Sequence, residues 1–459
     1  MKSVASSLGL PPPGRLERLF IIVSLLLVTQ ALTPLISLGG SDADALGDSN
    51  TATMLSALAV YSVAFFLLMR RPMAMVDTAR DDFLLLAMFL LPVASVIWSV
   101  DRSVSFRRVV ALVMTGIYCI YLARRLSPRD FLRYLLLTLF LGGMMSLVYT
   151  VLDPRDAIVH TAVNTGSWQG VYGHKAILGR IAALAVTVSV YVRPRHVWER
   201  PMRWATIAIF IFLSIQSQSR ASWLMMLGGV GFMFLIAIVR NRRLSSGIKL
   251  TIAMACGLAV IGAVAANWTA ILADFGRDDT FSGRTTLWTG AIAVANAHHP
   301  IWGAGYRAFW TATGSAGVRD YIQDWFRVPS HGHNGYLDVW LELGYAGVAL
   351  FAIFLVAMIG RLTRRILREP GEPVWAAFAI FFFVFILNNA SISVAFKHTD
   401  IAWICAVLTG LYTRACVDVR LPIFSRAERR RLHVVVPPPA KAPARPPLRP
   451  RIASLAEAQ

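Results

Sequence analysis

The sequence predicts an all-α, polytopic integral membrane protein of about 12 transmembrane helices with one large, partly helical external loop. Three observations predict it. Hydrophobic residues make up 56% of the 459-residue chain and charged residues only 15%, against roughly 25% in soluble domains. The apolar residues fall in runs of spanning length. The basic residues alternate between the connections, as the positive-inside rule requires.

The first run, about 20–38, follows Arg15 and Arg18 and lacks a small-residue cleavage site, so it reads as an uncleaved first helix. Further runs lie at about 51–69, 83–98, 107–123, 131–152, 174–192, 204–219, 221–239, 250–267, 336–359, 374–393 and 400–413, near the roughly 17–25 residues a crossing needs. Those at 83–98, 204–219 and 400–413 are the shortest. Arg70, Arg71, Arg124, Arg125, the basic stretches 193–203, 240–249 and 361–368 and both termini fall on one side, which is thereby cytoplasmic. Asp42, Asp44, Asp48, Asp101 and Asp400 fall on the other. The formal charge of +20 is mainly topological, and nucleic acid is not needed to explain it.

Cys119, Cys256 and Cys405 lie within apolar runs and Cys416 follows the last, so no disulfide framework is implied. The organisation is a cytoplasmic N-terminus (1–19), a transmembrane domain (20–413) and an Arg/Pro-rich tail (414–459) expected to be disordered and drawn to anionic lipid.

Two external loops exceed a turn, at about 153–173 and about 268–335. In the longer, Thr280 and Ser282 are candidate N-caps for a helix over 283–297, with Leu287, Trp288, Ala291, Ile292 and Ala295 on one face. An amphipathic, Trp-bearing helix suits the bilayer interface. The turn signal HHPIWGAG (298–305) ends it.

Chemistry-bearing residues gather in 329–350, PSHGHNGYLDVWLELGYAGVAL, where a polar loop runs into an apolar helix. His331 and His333 are candidate general bases near neutral pH. Asn334, Asp338 and Glu342 recur at i, i+4 and i+8 and share one helix face. Buried carboxylates in a span are costly and tend to be functional, although interhelical hydrogen bonding also accounts for such a stripe. The HxH spacing, with His298, His299 and Asp320 nearby, is a weak metal signal, with no HExxH or cysteine pair beside it.

On the same side, Lys175 and Arg180 (GHKAILGR, 173–180), Arg220 (SQSR, 217–220) and Arg284 (SGRTTLW, 282–288) break the positive-inside pattern. Guanidinium groups suit phosphate, and a lipid diphosphate headgroup is the anion expected there. Pairing with Asp274, Asp278 and Asp279 is the competing reading. His174 reads as a hydrogen-bonded interface residue. Asn388 and Asn389 either line a polar cavity or pair with neighbouring helices. There is no Walker A loop and no domain for a nucleotide-sugar donor, so a donor must arrive on a lipid.

These residues resemble the bacterial O-antigen ligase and polysaccharide polymerase superfamily. His333–Asn334, nine residues and then Gly344, Tyr345, Ala346 and Gly347 look like its HN-x9-GxxG pattern. GHKAILG, SQSR, GRTTLW and HPIWGAG precede it in the family's order. The likeness covers most of 20–413. One departure is Ala176, where exopolysaccharide-type members usually carry Asn. The resemblance implies a metal-independent glycosyltransferase without cofactor, using an undecaprenyl-diphosphate-linked glycan donor and a glycan or lipid-linked acceptor at the periplasmic face of the bacterial inner membrane; displacement in one step would make it inverting. A flippase and a chain-length regulator are the implied partners. It implies His333, with His331, at the acceptor hydroxyl, Arg220 and Arg284, with Lys175, at the diphosphate, and Asn334, Gly344 and Gly347 in support; the residue reading adds Arg180 at the diphosphate and Asp338 or Glu342 to orient His333 in catalysis. A polymerase of exopolysaccharide, capsule or O-antigen is expected, with ligase to lipid A core as the alternative. From another class, a transporter or flippase would carry ionisable groups near the midplane, whereas here they gather at one face.

Overall fold

A computed structural model describes residues 13–36, 51–69, 82–160, 165–241, 284–322 and 330–418, with scattered positions between 243 and 255. The apolar runs form helices broken where polar residues can cap them. The helices are α1 (Arg15–Val28), α2 (Thr51–Met69), α3 (Phe83–Ser95), α4 (Arg102–Arg125), α5 (Pro128–Leu152), α6 (Lys175–Tyr191), α7 (Glu199–Gln216), α8 (Arg220–Arg240), α9 (Arg284–His298), α10 (Gly335–Arg368), α11 (Pro373–Asn389) and α12 (Ile401–Asp418). Asp82, Asp101 and Ser127 accept hydrogen bonds from Leu85 N, Val104 N and Asp130 N at the starts of α3, α4 and α5. The only β-pairing among the described residues is an isolated bridge between Ile158 and Trp168.

Four of these helices contain a stretch long and apolar enough to cross a membrane: Arg102–Arg125, Pro128–Leu152, Trp223–Arg240 and Gly335–Arg368. Shorter apolar helices accompany them, and the chain is a helical membrane protein. The run expected at 250–267 lies almost wholly outside the described residues.

α11 is apolar on all sides and accordingly buried almost throughout, with Trp375, Phe378, Ile380 and Phe385 fully inaccessible. Its rings continue into Phe354 of α10 and Trp403 of α12, forming an aromatic column through the core. α6 packs on α5, α7, α8 and α11.

α9 starts at Arg284 and ends at His298, close to the bounds the sequence predicts; Thr280 and Ser282 lie outside the described residues. Its surroundings correct the interfacial reading. Leu287, Ala291 and Ala295 are buried in a second, smaller core with Phe309, Val318, Ile322 and Leu341, while Ile292 stays exposed. Periodicity reveals that a face is buried, not what buries it; here it is protein. Trp288 is likewise committed inward, through the hydrogen bond described below.

Candidate active site

The site begins with the cap of α10. The Asn334 Oδ1 accepts from Tyr336 N at 3.0 Å and Leu337 N at 3.2 Å, satisfying two donors that the helix itself cannot. The Asn of the HN pair is therefore a helix cap. It leaves the preceding His333 half-buried in left-handed backbone at φ 51°, uncommon outside glycine. The His331 and His333 rings meet edge to face with centroids 4.2 Å apart.

Asp338, one turn into α10 and 4% exposed, fixes this loop through its backbone rather than through an imidazole. Its carboxylate accepts from Gly332 N at 3.0 and 3.1 Å, from Trp310 Nε1 at 2.8 Å and from the Ser393 hydroxyl. The Gly332 carbonyl in turn accepts from Trp288 Nε1 at 2.7 Å. Both backbone polar groups of Gly332, the residue between the two histidines, are thus held, one from α10 and one from α9. Ionised acceptors make the stronger of such bonds.

Behind the loop, α10 is broken. Gly344 adopts φ 63°, ψ −162°, non-helical backbone suited to glycine. The break is stitched by 301–305: Tyr345 N donates to Ile301 O at 3.0 Å, Ala304 N to Leu341 O at 2.9 Å and Gly305 N to Glu342 O at 2.9 Å. A Cβ on Gly344 would sit 1.9 Å from Ile301 O. HPIWGAG and GYAG, forty residues apart, are the two halves of one joint, and non-helical backbone in a bundle persists where such partners exist. Gly347 packs on this joint, against Leu343 and Val339.

Beyond the joint, Tyr306 is fixed at both ends: Tyr306 N donates to Ser95 Oγ at 3.0 Å, Tyr306 O accepts from Ser105 Oγ at 2.7 Å, and Tyr306 Oη donates to Phe396 O at 2.5 Å. The segment 390–400, joining α11 to α12, is thereby drawn to the histidines. Asn389 organises that segment, accepting from Val394 N and Ala395 N at 3.3 and 2.8 Å. Asn388 instead lines a cavity with Arg180, Asp400 and Thr187, and its Oδ1 is buried without a partner.

Burial pushes the His331 imidazole down to about 4, and the charges of Lys397, Arg307 and Arg284 lower it further. Its Nδ1 is buried without a hydrogen-bond partner. His174 is likewise pushed down to about 4 by burial, with Arg180, Lys175 and Lys397 adding to the effect, and its Nδ1 caps α6 by accepting from Ala176 N at 3.1 Å. His331 is thus a neutral imidazole at pH 7, able to accept a proton.

Of the residues expected at the site, His331, His333, Asn334 and Asp338 form one hydrogen-bonded loop, with Arg284 close enough for its charge to act on His331. Glu342 is buried beside the joint. Lys175 begins α6, half-buried next to His174. The Arg180 guanidinium donates to Asp400 at 3.1 Å in a buried ion pair, so its charge is matched within the bundle. Arg220 starts α8 after a reversal through Gln218 (φ 48°); its side chain lies outside the described part of the structure. Among the described residues no three His, Cys, Asp or Glu side chains converge as a metal set. Arg307, Lys397, Trp310 and Ser393 are additions that sequence reasoning missed. The first two are basic residues on the predicted external side, the criterion that selected Arg284.

Residues 205–352 match the family described as O-antigen ligase, a stretch running from α7 through the joint in α10. The chain is also 28% identical, over 295 residues, to the exopolysaccharide production protein ExoQ of Rhizobium meliloti (strain 1021). That match covers 61% of this chain and 65% of the relative, just under two thirds of its length. Both findings support an O-antigen ligase/polymerase family.

Proposed function

We propose that this O-antigen ligase/polymerase-type membrane protein is a glycosyltransferase that polymerises undecaprenyl-diphosphate-linked oligosaccharide units at the periplasmic face of the inner membrane, with both termini cytoplasmic. The observation that carries the reading is the histidine loop itself, locked by Asp338 and Trp288 and lying within the field of Arg284. The relative's name speaks of exopolysaccharide production, which favours polymerase over ligase.

In the proposed reaction the acceptor hydroxyl attacks the anomeric carbon while the bond from that carbon to the lipid diphosphate breaks, inverting the configuration. The proton passes to His333, with the His331 ring edge to face beside it, and the electron pair leaves on the diphosphate oxygen. Arg284 and Arg220, with Lys175, supply countercharge to that leaving group, so the step needs no metal. Asp338 acts as a positioning residue through Gly332. Arg180, matched by Asp400, supports the wall of the site. A flippase to deliver substrate and a chain-length regulator are the partners this chemistry calls for.

The test is polymer production in a deletion strain carrying His333→Ala or Arg284→Ala. Full-length protein in the membrane with polymer lost supports the reading; normal polymer from His333→Ala defeats it. Loss of glycan from lipopolysaccharide, with secreted polymer intact, would assign ligase instead.

A further inference from the structure

We propose that Arg307 and Lys397 form a paired phosphate clamp beside the histidine loop, which recognises the two-phosphate headgroup of the lipid-linked substrate. This rests on the transferase reading above and deepens it by assigning residues outside the motifs of the sequence resemblance. Lys397 lies outside the stretch matched to the O-antigen ligase family as well.

The two residues are ninety apart in sequence, and the residues that precede them are joined by a hydrogen bond. Tyr306 Oη donates to Phe396 O at 2.5 Å, and Arg307 and Lys397 are the next residues along each strand of that contact. Both turns are clasped a second time by Asp338, which accepts from Trp310, three residues past Arg307, and from Ser393, four before Lys397. The same carboxylate holds Gly332, between the two histidines. A single buried acceptor therefore ties the Arg307 turn, the Lys397 turn and the histidine loop together.

The backbone is strained where the two cations are presented. Arg307 lies at φ 58° and Phe396 at φ 56°, left-handed conformations that a side-chain-bearing residue keeps only when its surroundings impose them. Each cation is half-buried between residues that are almost fully buried: Tyr306, Ala308 and Phe309 around Arg307, and Ala395 and Phe396 before Lys397. A cation so flanked has little freedom to swing to bulk water, unlike one snorkelling from a helix end. The positive charges of both reach His331, which supports their convergence on the loop. A planar guanidinium offers a bidentate grip and an ammonium a point charge, a combination suited to two adjacent phosphates.

The test uses the full-length protein in phosphatidylcholine nanodiscs, titrated with farnesyl diphosphate and followed by tryptophan fluorescence, with Trp310 and Trp288 as nearby reporters. Arg307→Gln and Lys397→Gln should each weaken binding by about ten-fold, whereas Arg307→Lys and Lys397→Arg, which keep the charge, should retain most of it. Farnesyl monophosphate should bind more weakly than the diphosphate. In a transfer assay the glutamine variants should raise KM for the lipid diphosphate and leave kcat nearly unchanged. Arg319→Gln, on an exposed turn, is the control, and elution profile and thermal midpoint report folding. Unchanged affinity in the glutamine variants would overturn the clamp, as would charge-keeping variants that bind as poorly as the glutamine ones, or equal affinity for the monophosphate. Any of these leaves the transferase reading standing; that reading fails separately if the wild type binds farnesyl diphosphate but transfers no sugar from a polyprenyl-diphosphate-linked glycan.

Discussion

The two ends of α10 are built on opposite principles. At its C-terminal end the charges are paired in ordinary ways: Arg361 with Asp82, and Arg365 with Glu369 at 3.0 Å, while Arg365 also donates to Thr413 O. The neighbouring Arg125–Glu17 and Arg129–Glu372 pairs continue the pattern. At its N-terminal end the helix is broken at Gly344. Four of the six non-glycine residues with positive φ among those described (Arg307, His333, Phe396 and Thr399) lie in the segments that meet there. One end uses electrostatics to hold helices together. The other uses backbone hydrogen bonds to hold histidines and cations in costly conformations. Strain retained at such expense is a mark of a working site.

Breaking the strained end should cost most. Gly344→Ala places a Cβ against Ile301 O in a conformation alanine resists, and should destabilise the protein by about 3 kcal/mol or more, read as a lower thermal midpoint and less protein in the membrane. Asp338→Asn keeps the shape but weakens four hydrogen bonds, so transfer should fall about 100-fold while the protein stays folded, since small misplacements of reacting groups cost that much. Wild-type turnover from this variant would mean that the clasp on Gly332 is incidental.

A pH titration sharpens the comparison. The folded-state pKa of His331 is depressed to about 4 from an ordinary 6.5, so the unfolded chain binds the proton more readily over that window. The His331 contribution held above pH 6.5 should therefore be lost progressively as pH falls toward 4, and His331→Gln should remove that part of the slope; His174 contributes with the same sign. The smallest effect belongs to the opposite end. Arg129→Gln, at an ion pair whose arginine is 37% exposed, should change stability by about 0–1 kcal/mol and leave transfer untouched.

Much of the helical framework was legible because apolar runs of spanning length leave few alternatives in a chain this poor in charge. The HN pair was legible as a candidate site, yet its division of labour was not: Asn334 caps, His333 is displayed. The break in α10 was invisible because apolar residues continue on both sides of Gly344, so periodicity reads one helix. Its stitching partner, 301–305, is remote in sequence. Arg180 reads as an anion ligand in the sequence, where its ion-pair partner Asp400, more than two hundred residues away, is invisible. Arg307 and Lys397 were missed because each stands alone in a short turn, and their turns are brought together by the Tyr306–Phe396 hydrogen bond and by Asp338, contacts remote in sequence.

The most direct measurement is transfer by the purified protein in nanodiscs, supplied with a polyprenyl-diphosphate-linked oligosaccharide and EDTA, with products read by mass spectrometry. The account predicts glycan lengthened by whole repeat units, free polyprenyl diphosphate released in step with each linkage, and neither product from His333→Ala. Intact substrate after incubation with the folded wild-type protein, or equal products from the histidine variant, would contradict it.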